Sequence, residues 1–221
     1  MWNDTGNPPQ GGTPGAVRTL AGTYGGGPGQ VSPLVGMAAA LSAHQASASS
    51  RFSLRERAFV DLVLVRGDAA DAAFVQALES VTGCRPSLKP NSVTRGATYD
   101  ALWLGPDEWL VRSHQPQRAT LESALRAALA GQFAAVVDAG SGYTVLELSG
   151  SRVREVLARG CPLDLHPRVL APGQCAQSHY FKASIVLVPM PGDCYELIVR
   201  RSFADYLCQM MLDASVPLLI G

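Results

Sequence analysis

Apolar positions along this chain switch between two periods. Phe59 to Val65 (FVDLVLV) is an almost continuous apolar run and predicts a strand. Beyond it Ala70, Phe74, Ala77, Leu78 and Val81 recur at the spacing of one helical face. Asp68 is expected to open that helix with Asp71 three positions on, because acids are favourable at a helix N-terminus. Two short strands follow, Ala101 to Leu104 (ALWL) and Trp109 to Arg112 (WLVR), and the turn-forming Gly105-Pro106-Asp107-Glu108 between them predicts a hairpin. A second helix over about Thr120 to Ala130 sets Leu121, Ala124, Leu125, Ala128 and Leu129 on one face and stops at Gly131.

The same order then recurs. Tyr143 to Leu148 reads as a strand, Ser151 to Arg159 as a helix with Val153, Val156 and Leu157 inward, and Ser178 to Val188 as one long strand. A turn at Pro191, Gly192 and Asp193 leads into a strand from Tyr195 to Val199. Ser202 is expected to cap a last helix, with Asp205 at the capping-box position and Phe203, Leu207, Met210, Met211 and Ala214 inward. Each half therefore reads β-α-β-β-α, close to the split βαβ unit of ferredoxin-like folds. The expected fold class is α+β, with two such units, 51–133 and 134–221, sharing one core. Residues 1–50 are rich in Gly, Pro, Ser and Ala and carry only Asp4 and Arg18 as charges, so they are expected to be flexible, with order beginning near Phe59.

With 221 residues, 47% of them hydrophobic, the chain is long enough to bury a sizeable core. Eighteen basic and eighteen acidic side chains cancel, so no overall field draws in nucleic acid or an anionic membrane. Cys84, Cys161, Cys175, Cys194 and Cys208 form no C-x-x-C pair, and their odd number fits a reduced, cytoplasmic chain. The apolar window Leu34 to Ala43 is too short to span a bilayer and lies too far from Met1 for a signal peptide.

Catalytic motifs are not found by this reading. The Gly25 to Gly29 run lacks the Lys-Ser/Thr pair of a phosphate loop, and Ser141 lacks the flanking glycines of a nucleophile elbow. Cys161 and His166, with Asp164 between them, are close in sequence, but nucleophile and base usually come from different elements. His44, His114, His166 and His179 show no paired metal-ligand spacing, and no G-x-G-x-x-G enters a helix. The unusual feature is LWLGPDEWL, where Trp103 and Trp109 flank a turn bearing Asp107 and Glu108. These four residues are the candidate interface; the alternative is that both rings pack beneath their own helices.

ALWLGPDEWLV at 101–111, VLELSGSRVREVLARGCPLDLHP at 145–167, APGQCAQS at 171–178 and YELIVRRSFADYLCQMMLDA at 195–214 resemble the sarcosine oxidase gamma subunit family. With Ser32-Pro33-Leu34 the resemblance covers residues 32 to about 215. The LELSG, PLDL and APGQ run is more distantly similar to the folate-binding T-protein of the glycine cleavage system. The resemblance implies a non-catalytic gamma chain in a complex with alpha, beta and delta chains, which oxidises sarcosine to glycine, hydrogen peroxide and a one-carbon unit captured by tetrahydrofolate. It implies that FAD, FMN, NAD and zinc belong to the partner chains. SIVLVPMPGDC departs from the T-protein hairpin, and Asp164 is the one acid of that pattern present. A free-standing folate-binding protein or folate-dependent one-carbon transferase of the same fold is the alternative.

Overall fold

A computed structural model describes residues 30–47, 51–116 and 120–219, which form ten strands and five α-helices. Helix α1 (Ala38–Ser47) and strand β1 (Ser53–Arg57) lead into β2 (Leu62–Arg66), α2 (Ala72–Thr82), β3 (Val93–Arg95), β4 (Tyr99–Gly105), β5 (Glu108–Ser113) and α3 (Leu121–Ala128). The second half runs β6 (Ala135–Asp138), β7 (Tyr143–Ser149), α4 (Val153–Ala158), β8 (Ala176–Tyr180), β9 (Ala183–Met190), β10 (Cys194–Arg200) and α5 (Arg201–Leu219). The fold is α+β. Its strands make two antiparallel sheets, in the orders β3-β4-β5-β2-β6 and β1-β7-β10-β9-β8.

Read from its far end, the second order is β8-β9-β10-β7-β1, so the two halves repeat one topology. The strand that leads each half crosses to the other sheet. β1 pairs with β7 from Ser53↔Ser149 to Arg57↔Val145, and β6 pairs with β2 from Val63↔Asp138 to Arg66↔Ala135. Gly150 makes the first crossing possible, because at its φ of +117° a Cβ would lie 2.4 Å from the Arg51 carbonyl oxygen.

Four layers result. Val60, Leu62, Leu102, Leu110, Val145, Val188 and Ile198 form an apolar layer between the sheets. On the outer face of the first sheet, Val63, Val65, Trp109 and Val111 pack against Phe74, Val75 and Leu78 of α2 and Leu121 and Leu125 of α3. On the outer face of the second, Leu146, Leu148, Leu187 and Leu197 pack against α4 and α5. With both faces of each sheet covered, the central strands read as apolar runs rather than as alternation.

Several elements differ from expectation. Leu34 and Leu41 bury into the second sheet's outer core, so Leu34 to Ser47 are structured although 1–50 reads as a flexible segment rich in Gly, Pro, Ser and Ala. Residues 1–29 lie outside the described residues. Helix α2 starts four residues after Asp68 because Asp68 accepts the Ala70 N–H in a preceding turn, while Asp71 is the N-cap and accepts from the Ala73 N–H at 2.8 Å. The long strand expected from Ser178 to Val188 is a hairpin, folded at Phe181 (φ 48°), whose N–H donates to the Gly160 carbonyl. Ser202 lies inside α5 rather than at its cap, and Asp205 accepts from Gln209.

Because β1 and β6 belong to both halves, the chain is expected to unfold as one unit. Leu54 of β1 is fully buried, and Leu54→Ala is predicted to cost about 2–5 kcal/mol in urea unfolding while leaving a single transition. Two transitions, only one of them displaced, would contradict the exchange.

Candidate functional site

The four hairpin residues divide by depth. Trp109 is fully buried, its ring 5.8 Å from that of Phe74 and its Nε1–H donating to the Ser87 carbonyl at 3.0 Å. Trp103 is partly covered against the same core, and its Nε1–H has no hydrogen-bond partner. Asp107 stands at the exposed turn and pairs with Arg66 at 2.8 Å, and Glu108 is half-buried beside it. Phe133, wholly exposed, lines one groove of about 550 Å³ together with Pro106, Asp107, Arg66 and Asp68. The sequence offered no sign of that neighbour, because residues 106 and 133 meet only through the β5-β2-β6 pairing.

Cys161 and His166 do not form a catalytic pair. The Cys161 thiol is buried and contacts Ser178 Oγ at 3.7 Å, whereas exposed His166 accepts the Arg168 N–H at Nδ1. Asp164 accepts the His166 N–H at 2.9 Å and so orders its own loop. All five cysteines are free thiols. Burial pushes Cys175 up to about 11 and Cys208 up to about 12, which suppresses the reactive thiolate. Among the described residues no three His, Cys, Asp or Glu side chains converge as metal ligands, and no helix is long and apolar enough to cross a membrane.

The concentrated chemistry of this chain lies between the sheets. Asp100 of β4 and Arg112 of β5 are 0% and 2% exposed and pair at 2.8 Å; Arg112 also reaches across to Glu196 of β10, 1% exposed. Arg57 of β1 joins Glu196 and donates to the His114 carbonyl, while His114 Nε2 lies 2.9 Å from Asp100 Oδ1. Arg95 closes the cluster 3.3 Å from Asp100. Glu147 and Glu196 stand opposite each other in the β7–β10 register, a like-charge pair that Arg55, 2.6 Å from Glu147, and the two arginines on Glu196 offset. Every carboxylate here faces a guanidinium, so the cluster ties the two sheets together.

A model of the sarcosine oxidase, gamma subunit family matches residues 66–217. The chain is 32% identical over 186 residues to sarcosine oxidase subunit gamma of Corynebacterium sp. (strain P-1), spanning 83% of this chain and 88% of that one. The chain belongs to the sarcosine oxidase gamma subunit family. The corresponding Arthrobacter sp. subunit is 33% identical over 187 residues, with the same coverage of each chain. A chain of the heterotetrameric sarcosine oxidase from Corynebacterium sp. U-96 superposes with a TM-score of 0.77 at 27% identity, over 85% of this chain and 95% of that one. Aminomethyltransferase T of the glycine cleavage system from Bartonella henselae shares the fold, with a TM-score of 0.57 at 16% identity over 78% of this chain and 48% of that one.

In this gamma-subunit family member the buried ions carry a pH dependence. Burial alone would raise the Asp100 carboxyl, but hydrogen bonds from His114 and Arg112 and the charges of Arg112 and Arg95 outweigh it and hold the pKa below its ordinary 3.8. The unfolded chain therefore binds the Asp100 proton first on acidification. The stabilisation is complete above about pH 4 and is lost as pH falls through the depressed value. The melting temperature is predicted to drop on acidification below about pH 4, and Asp100→Asn should flatten that acid limb while lowering the melting temperature at pH 7. Calorimetry from pH 3 to 7 checks this; parallel curves for the two proteins would contradict it.

Proposed function

We propose that this chain is the non-catalytic gamma subunit of a heterotetrameric sarcosine oxidase, acting in assembly and stability of the complex. The complex oxidises sarcosine to glycine and hydrogen peroxide and passes the one-carbon unit to tetrahydrofolate, with FAD, FMN, NAD and zinc held by the alpha, beta and delta chains. The observation that carries this reading is the likeness, along nearly the whole of the other chain, to a component of a heterotetrameric enzyme. The internal chemistry supports it, because the buried acids and bases are spent on joining two sheets. Asp107 and Glu108, at the hairpin tip, are the proposed contact with a partner.

Co-expression with the alpha, beta and delta chains tests it. The chain should elute with the flavin-bearing chains in one oxidase-active complex, and alone it should be colourless and inactive. Asp107→Ala with Glu108→Ala should keep the melting temperature and weaken assembly by about tenfold, roughly 1.4 kcal/mol. Stoichiometric flavin on the isolated chain, or a full-strength complex formed without it, would contradict the reading. Tetrahydrofolate binding by the isolated chain would instead favour the free-standing folate protein.

A further inference from the structure

The two crossing strands are equivalent in topology but not in cover. In β1 the alternation of the β1–β7 register turns the Leu54 carbonyl away from β7, and Gln45 of α1 donates to it. In β6 the Ala139 N–H bonds to the Leu62 carbonyl, which fixes the ladder and turns the N–H and C=O of Val136 and Asp138 outward, away from β2. Helix α3 packs on the face of β6 through Val136, but no described side chain donates to its outward carbonyls as Gln45 does to that of Leu54. Phe133 is wholly exposed and Val137 about half exposed along it. β6, sequence AVVD, carries no lysine, proline or bulge, so its shortness and Asp138 are all that guard the edge.

We propose that the outer edge of β6 receives an extended segment of a partner chain as an added strand, with basic side chains at both ends of that segment. This rests on the subunit reading above. The charges select the occupant. A groove with Asp68 and Asp107 on its rim lies at the Ala135 end of the strand, and one with Asp138 on its rim at the other; against these three acids stand Arg66, paired with Asp107, and Arg201, donating to the Val31 carbonyl. A second copy of this chain, added antiparallel about a two-fold, would set Asp138 of each copy against Asp68 and Asp107 of the other, which is repulsive. A basic strand meets opposite charge at both ends, and Phe133 supplies an aromatic anchor.

Hydrogen–deuterium exchange on the full chain, alone and in the complex co-expressed with the alpha, beta and delta chains, tests the proposal. In the complex the Val136 and Asp138 amides should slow by roughly tenfold or more, with no slowing in the chain alone. Phe133→Ser with Val137→Lys should leave the melting temperature of the free chain unchanged and reduce recovery of the complex. A complex that forms with both amides exchanging as before would overturn the edge proposal and leave the subunit reading intact. Failure to form any complex would overturn both. Slowing in the chain alone, together with a doubled mass, would overturn the partner in favour of a second copy.

Discussion

A guanidinium with 2% of its side chain exposed must be ion-paired, or the fold loses several kcal/mol, and Arg112 meets that condition with one carboxylate from each sheet. Asp100 is supplied by its own sheet and Glu196 by the other. Arg57, on a strand exchanged from the first half, then balances Glu196 from a third direction. The apolar layer of Leu62, Leu102, Leu110, Val145 and Ile198 supplies most of the attraction but has no direction of its own. The ion cluster at its margin fixes how the sheets face each other, since a slip of one strand residue would turn Arg112 or Glu196 to the opposite face.

Strand exchange and ion cluster reinforce each other. The exchange places Arg57 in the second sheet, close enough to the end of β5 to donate to the His114 carbonyl, and the cluster in turn keeps β1 from peeling away. One body follows, with helices on its outer faces and, among the described residues, a hairpin tip and the β6 edge at its surface. Such a body suits a chain that works by presenting surfaces, as expected of a component of a larger enzyme.

Much of this was legible in the residues. Asp71 with Phe74 and Leu78 gives α2, Pro106-Asp107 gives the hairpin, and the repeated order of elements gives the two-unit plan. What escaped has physical causes. β1, SLRER, looks like solvated surface because Arg55 and Arg57 turn toward Glu147 and Glu196, so its charges mark an ionic row between sheets rather than a loop. β6 is four residues long and gains its place from β2 alone. The Phe181-Lys182 turn has no Gly, Asn or Asp to announce it. The cluster itself leaves a signal in the sequence: Asp100, Arg112 and Glu196 are charges of both signs set among the apolar residues of their strands. Tryptophans beside a turn point to a core as well as to an interface, and Trp109 belongs to a core.

The central claim, that a shared buried charge cluster joins the sheets, is tested most directly by a double-mutant cycle on Arg112→Leu and Glu196→Leu in urea unfolding. Each single change should cost about 3–5 kcal/mol by stranding a buried charge, and the double change should cost less than the sum by about 1–3 kcal/mol. Additivity within about 0.5 kcal/mol would mean that the two charges are independent and that the apolar layer alone sets the docking.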